Sequence, residues 1–157
     1  MKLDTFSSSE IIEELFKNEK RKLKIAILTP GFGFDGQGRV VETQAQELRN
    51  CGHRVTIFTL ESEMSPPEGV KLDVIGGPRN YYLEAIYHLF FPFHVFKVLK
   101  YTLKLKNFDL TISHHNSVGW LSLLAKWLWK IPYIFHAHSL NPPEAFPKIY
   151  QRVYIHI

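Results

Sequence analysis

Five short runs rich in β-branched residues, most of them separated by stretches of helical spacing, constrain this chain more than any single motif. Leu23 to Thr29 (LKIAILT) is a continuous apolar run of strand length, the pattern of a strand buried on both faces of a parallel sheet. A glycine-rich loop, Pro30 to Gly38, follows. From Arg39 to Asn50 the apolar or small positions Val40, Val41, Ala45 and Leu48 recur at helical spacing, and Gly52 stops the helix. Arg54 to Leu60 (RVTIFTL) is the second strand, Glu61 to Gly69 with Pro66 and Pro67 a loop, and Lys71 to Ile75 a shorter third strand ending at Gly76-Gly77-Pro78. Tyr81 to Lys106 has a helical pattern that Pro92 must kink or split. Phe108 to Ser113 (FDLTIS), Val118 to Lys130 and Tyr133 to His136 then read as strand, helix and strand. Strands alternating with helices call for right-handed crossovers, so the expected fold is α/β: an open, mostly parallel Rossmann-like sheet with helices on both faces. That domain occupies residues 23–140. Residues 1–22 are an extension in which Ser7 and Glu10 form a capping box for a short amphipathic helix, Ser9 to Asn18, and residues 141–157 are a tail with a short helix.

The length of 157 residues fits one such core, and a composition 45% hydrophobic and 22% charged favours a packed domain over disorder. The formal charge of +4, from 19 Lys and Arg against 15 Asp and Glu, is too mild and too scattered to call for nucleic acid. It suits anionic small ligands or anionic lipid. Cys51 is the single cysteine, so no internal disulfide is possible, and no Cys/His cluster has zinc-ligand spacing; a reducing cytosol and no metal are expected. The N-terminus lacks the apolar core of a signal peptide. Ile86 to Leu99 is interrupted by His88, Pro92, His94 and Lys97, far from the roughly 20 apolar residues of a spanning helix. The expected location is cytoplasmic, with peripheral contact at a membrane surface left open.

The loop Gly31-Phe32-Gly33-Phe34-Asp35-Gly36 satisfies G-x-G-x-x-G between a strand and a helix, and Glu61 ends the second strand where a ribose-binding acid would sit. Spacing argues against a dinucleotide fingerprint. Its third glycine lies inside the first helical turn, whereas here Gln37 and Gly38 intervene and the helix is expected to start near Gly38. The general physics survives: glycines let backbone N–H groups approach phosphate oxygens, and the helix N-terminus is partially positive. Gly36 and Gly38 are therefore candidate phosphate-proximal residues, with simple turn geometry as the alternative.

Taken in order, KIAILTPGFGFDGQG, ETQAQELRNCGHRVTIFT, FDLTISHH and LLAKWLWKIPYIFHAHS resemble the N-terminal domain of GT-B glycosyltransferases, in particular glycosyltransferase family 4. The resemblance covers residues 23 to 139 and departs from the family pattern at three places. Asp35-Gly36 stands for a Gly-Gly pair, Ile112 for the first His of an H-x-H strand, and Lys130 for a Gly before Ile131-Pro132. In that family two Rossmann-like domains face each other across a cleft, the C-terminal one binding the nucleotide sugar and the N-terminal one binding the acceptor and touching the donor phosphates and sugar. The C-terminal domain with its Glu-x7-Glu signature is absent from this sequence. The resemblance thus implies the acceptor-side half, truncated or split, of a retaining enzyme that moves a sugar from a nucleotide sugar to an unknown acceptor. It implies that the chain alone is inactive, that a separate C-terminal domain chain is a partner, and that no metal or cofactor beyond the sugar donor takes part. Residue by residue, it places Gly36 near the donor diphosphate and His114, with His115 and Asn116 beside it, on the cleft at the end of the fourth strand. His138, just past the fifth strand near the transferred sugar, is the catalytic candidate.

His136 and His138 alternate and so share one face of a strand; a structural histidine at a strand end is the competing reading of His138. No carboxylate accompanies the histidines at metal-ligand spacing. Along Tyr81 to Lys106, Lys97, Lys100, Lys104 and Lys106 interleave with Phe90, Phe91, Phe93, Phe96, Leu99 and Leu103, which suits either a membrane-surface helix or a crossover helix covering the sheet. Trp120 and Trp127, seven apart, are expected to face the core and Trp129 to project elsewhere. Two rival functions remain: a single-domain nucleotide or NAD(P)-binding protein using Gly31 to Gly36 and Glu61, and a non-catalytic module that binds a partner protein through its cleft face.

Overall fold

A computed structural model describes residues 21–77 and 93–136. The expected helix at Ser9 to Asn18, the tail at 141–157 and the stretch 78–92 lie outside the described residues. Five strands, β1 (Lys24–Phe32), β2 (Arg54–Ser62), β3 (Lys71–Val74), β4 (Leu110–Ser113) and β5 (Tyr133–Phe135), form one sheet in the order β3-β2-β1-β4-β5, every neighbouring pair parallel. Three helices, α1 (Gly36–Asn50), α2 (Val95–Leu105) and α3 (Asn116–Trp129), connect them. This is the Rossmann-like sheet that the alternation of strand and helix patterns predicts.

Period-two alternation in β1 sorts the core into two layers. Ile25 and Ile27 join Val41 and Ala45 of α1 on one face, while Ala26 and Leu28 join Val98, Tyr101 and Leu105 of α2 and Val118, Leu121 and Ala125 of α3 on the other. Both faces of β1 are buried, which is why its sequence is an unbroken apolar run. The strand continues past Thr29 to Phe32, three residues beyond its expected end, because β2 runs alongside as far as Phe32↔Ser62. Pro30 is accommodated there since β4 pairs only as far as Leu28, so no neighbour on that side asks for its missing N–H.

The α3 face is not the expected one. Trp127 is 76% exposed and Trp120 is also exposed, whereas Trp129 packs against the core. Small residues decide this register. Ser122 and Ala125 are fully buried, and Ser122 Oγ lies 2.7 Å from Ser113 Oγ of β4, a close approach that an indole cannot make. At its end, α3 is capped by Lys130 in the left-handed region (φ 59°), which explains why a Gly would suit this position.

Candidate functional site

The chain runs from β1 through α1 to β2 on one side and reaches β4 on the other, so the carboxyl ends of β1 and β4 flank a topological switch point, where open α/β sheets bind ligands. Three elements meet there: the loop after β1, the start of α1 and the β4–α3 turn.

Asp35 is the N-cap of α1. Its backbone is extended (φ −75°, ψ 174°), its Oδ1 accepts the Gly38 N–H at 2.7 Å and its carbonyl accepts the Arg39 N–H at 3.1 Å. The helix therefore begins at Gly36, two residues earlier than expected, and the loop-length objection to a dinucleotide fingerprint falls with it. The aspartate that replaces the first glycine of the family's usual pair is what starts the helix early. Among the described residues, the N–H groups of Gly36 and Gln37 have no partner, leaving two donors at the positive end of the helix.

The two candidate glycines do different work. A Cβ on Gly36 would meet nothing within 4 Å, so the space over this residue is open. A Cβ on Gly38 would lie 1.9 Å from the Gly33 carbonyl oxygen, so Gly38 is the position where helix and loop must touch. Neither has the positive φ that turn geometry would require.

Beneath this loop a chain of polar groups ties α1 to the sheet. Gln37 Nε2 donates to Thr29 Oγ1 at 3.0 Å and approaches the His114 carbonyl at 3.5 Å, and Thr29 Oγ1 donates to the Gly31 carbonyl at 2.8 Å. His114 stands at the end of β4, but the residue is only 2% exposed, with Nε2 2.8 Å from Gln44 Oε1 and the His136 ring centroid 4.9 Å from its own. His114 is thus held below the rim by Gln44. His115 is exposed and serves as the N-cap of α3, its Nδ1 accepting the Ser117 N–H at 3.1 Å; Asn116 is the first, exposed residue of that helix. His138 lies outside the described residues. Two glutamates border the loop on the β2 side: a Cβ on Gly31 would lie 3.8 Å from Glu61 Oε1, and one on Gly33 3.4 Å from Glu63 Oε2. Among the described residues, no three His, Cys, Asp or Glu side chains are grouped to hold a metal ion.

The model of Glycosyltransferase Family 4 matches residues 34–157. The chain belongs to glycosyltransferase family 4. Two solved structures of Alr3699/HepE from Anabaena share its fold: the complex with UDP-glucose at a TM-score of 0.56 and 16% identity, over 83% of this chain and 33% of that one, and the complex with UDP and glucose at 0.58 and 15%, over 83% and 34%. A glycosyltransferase from Rickettsia africae ESF-5 superposes with a TM-score of 0.52 and 13% identity over 85% of this chain and 34% of that one. The chain spans about a third of the length of these structures. No curated protein matches it by sequence.

In this family 4 domain the glycine loop, the α1 N-terminus, His114, His115 and Asn116 converge at one end of the sheet. Thr29, Gln37 and Gln44, which with His136 knit that end together, escaped the sequence reading. A signal for two of them was present: Gln37, Val41 and Gln44 fall at i, i+4 and i+7, so both amides share the buried stripe of an amphipathic helix, where an uncharged polar residue needs a partner.

Proposed function

We propose that the chain is the acceptor-side half of a retaining family 4 glycosyltransferase that moves a sugar from a nucleoside diphosphate sugar to an acceptor hydroxyl. The observation that carries the reading is the start of α1 at the switch point, with the Gly36 and Gln37 N–H groups unpartnered among the described residues and open space over Gly36. In transfer the bond between the sugar's anomeric carbon and the diphosphate oxygen breaks while the acceptor hydroxyl's oxygen forms a new bond to that carbon and its proton passes to the departing diphosphate oxygen. Charge builds on the departing diphosphate, and two fixed donors at the positive end of a helix stabilise charge there without reorganising. Gln37, tied to Thr29, holds the first helical turn in place for this task. His138 is assigned the sugar-facing catalytic role, with His114, His115 and Asn116 on the acceptor side. The reading requires a second Rossmann-like domain to close the cleft and exclude water, and it includes no metal or cofactor besides the donor.

A cytoplasmic protein resting on a membrane completes the proposal. Among the described residues no helix is long and apolar enough to cross a membrane. Phe96, Leu99 and Leu103 of α2 are exposed, Phe96 at 91%, and Lys100 and Lys106 are exposed near them. Lys97 and Lys104 turn back instead, to the Gly76 carbonyl at 2.7 Å and to Asp73 at 2.5 Å.

Calorimetry with UDP, NAD and NADP on the 157-residue chain tests the site. UDP is expected to bind, Gly36→Val to weaken it by covering the donors, and NAD to bind no better than UDP. Low-micromolar NAD binding that Glu61→Ala abolishes would replace the glycosyltransferase reading with the dinucleotide one, which the early helix start and the position of Glu61 beside Gly31 keep in play. Turnover assays with a panel of nucleotide sugars should show no transfer by the chain alone.

A further inference from the structure

At the opposite rim of the sheet, where the parallel strands begin, lies an open concavity of about 640 Å³, within the size range of small-molecule sites. Lys22, Lys24, Arg49, His53, Arg54 and Lys71 line it, and among the described residues no Asp or Glu does. These basic residues come from four separate places in the chain: the entry to β1, the last turn of α1, the start of β2 and the start of β3.

The arrangement works against stability in the absence of an anion. Strand register sets Lys24 directly against Arg54, and like charges on facing strand positions repel. The carboxylate of Asp109 is already used, pairing with Arg21 at 3.1 Å and accepting the Lys24 backbone N–H at 2.8 Å. Among the described residues, the side chains of Lys22, Arg49, Arg54 and Lys71 have no carboxylate partner.

Local backbone geometry nonetheless holds two of the donors in position. The Arg49 guanidinium lies over Gly69, whose φ is +77°; a Cβ there would come within 2.6 Å of Arg49 Nε. His53 Nδ1 accepts the Leu23 N–H at 3.3 Å, which in the neutral ring leaves the proton on Nε2 as a donor. Guanidinium forks and ammonium groups lining one concavity without a carboxylate partner among the described residues match an anion with several oxygens. We propose that this concavity is a binding site for a diphosphate group, either of a soluble molecule or of an anionic headgroup at a membrane surface. It stands at the far end of the strands from the glycine loop and is independent of the function proposed for that end.

Amide chemical-shift mapping on the 157-residue chain, titrated with inorganic pyrophosphate, reads the two ends separately. Shifts are expected at Gly52, His53, Arg54, Gly69 and Lys71. Arg49→Gln combined with Lys71→Gln, both at exposed positions, should weaken the binding read at those amides by about tenfold or more, since each removes a charge-assisted contact, while Gly36→Val leaves it unchanged. Arg54→Gln provides a second variant should the double one lose its native spectrum. Sedimentation with phosphatidylcholine vesicles carrying diacylglycerol pyrophosphate, whose headgroup is a diphosphate, separates the sources. Vesicle binding that the double variant loses assigns the site to a headgroup, and pyrophosphate binding without vesicle binding assigns it to a soluble diphosphate. Shifts confined to residues 36–38, shifts that the variants do not weaken, or equal shifts from sodium chloride at matched ionic strength would overturn the proposal.

Discussion

Gly38→Ala should destabilise the domain far more than Gly36→Ala, although both add one methyl to the first turn of the same helix. At position 38 the new Cβ would sit 1.9 Å from the Gly33 carbonyl oxygen, 2.8 Å from its carbon and 2.9 Å from its nitrogen. All three are backbone atoms, so no side-chain rotation relieves the clash; helix and loop must separate by roughly 1 Å. That movement stretches the Asp35 cap to the Gly38 N–H, a contact worth about 1 kcal/mol, on top of about 1–3 kcal/mol for overpacking. Alanine returns up to about 1 kcal/mol of helix propensity, so a net loss of roughly 2 kcal/mol remains. For a chain of this size that is a drop of roughly 4–8 °C in Tm. At position 36 nothing lies within 4 Å, and the same propensity gain should leave Tm unchanged or slightly raised. Thermal unfolding followed by circular dichroism measures both. Equal Tm values for wild type and Gly38→Ala, or an equal loss in the two variants, would refute the assignment of Gly38 as the contact between helix and loop.

Two further substitutions probe the same region and the far end of α3. His114→Ala removes a buried ring and strands Gln44, so urea unfolding should report a loss of about 2–4 kcal/mol; a smaller loss in Gln44→Ala than in His114→Ala is expected because less volume is vacated. Lys130→Gly relieves a left-handed backbone at φ 59° and should raise stability by up to about 1 kcal/mol in the same assay.

The sheet was legible because its strands obey simple burial rules. β1 is apolar on both faces since helices cover both, and β2 carries the β-branched and aromatic run Val55 to Thr59 beside it, each run bounded by turns. Face assignment on α3 was not legible in this way. A seven-residue spacing between Trp120 and Trp127 marks one stripe of the helix, but which stripe meets the sheet is set by how closely the backbone can approach. Ser122 and Ala125, not the largest residues, decided that. Hydrophobic pattern reports a periodicity; it does not report which of two apolar stripes has the smaller side chains opposite a tightly approaching strand.

The candidate site divides along the same line. Glycines between a strand and a helix announce a loop where backbone can approach a ligand, and that much is local. Whether the loop is a dinucleotide fingerprint depends on where the helix starts, and Asp35 moved that start by capping Gly38. A single acid in place of glycine thereby makes the motif fit the rival reading better while leaving the donors of Gly36 and Gln37 exposed to an anion in either case. Two open donors at a helix N-terminus suit a phosphate group whichever molecule carries it. On the proposed reading, a choice between a sugar nucleotide and a dinucleotide rests on groups outside this turn: Glu61 and Glu63 beside the loop, whose carboxylates suit hydroxyl groups better than phosphate, and the residues of the second domain that the proposal requires.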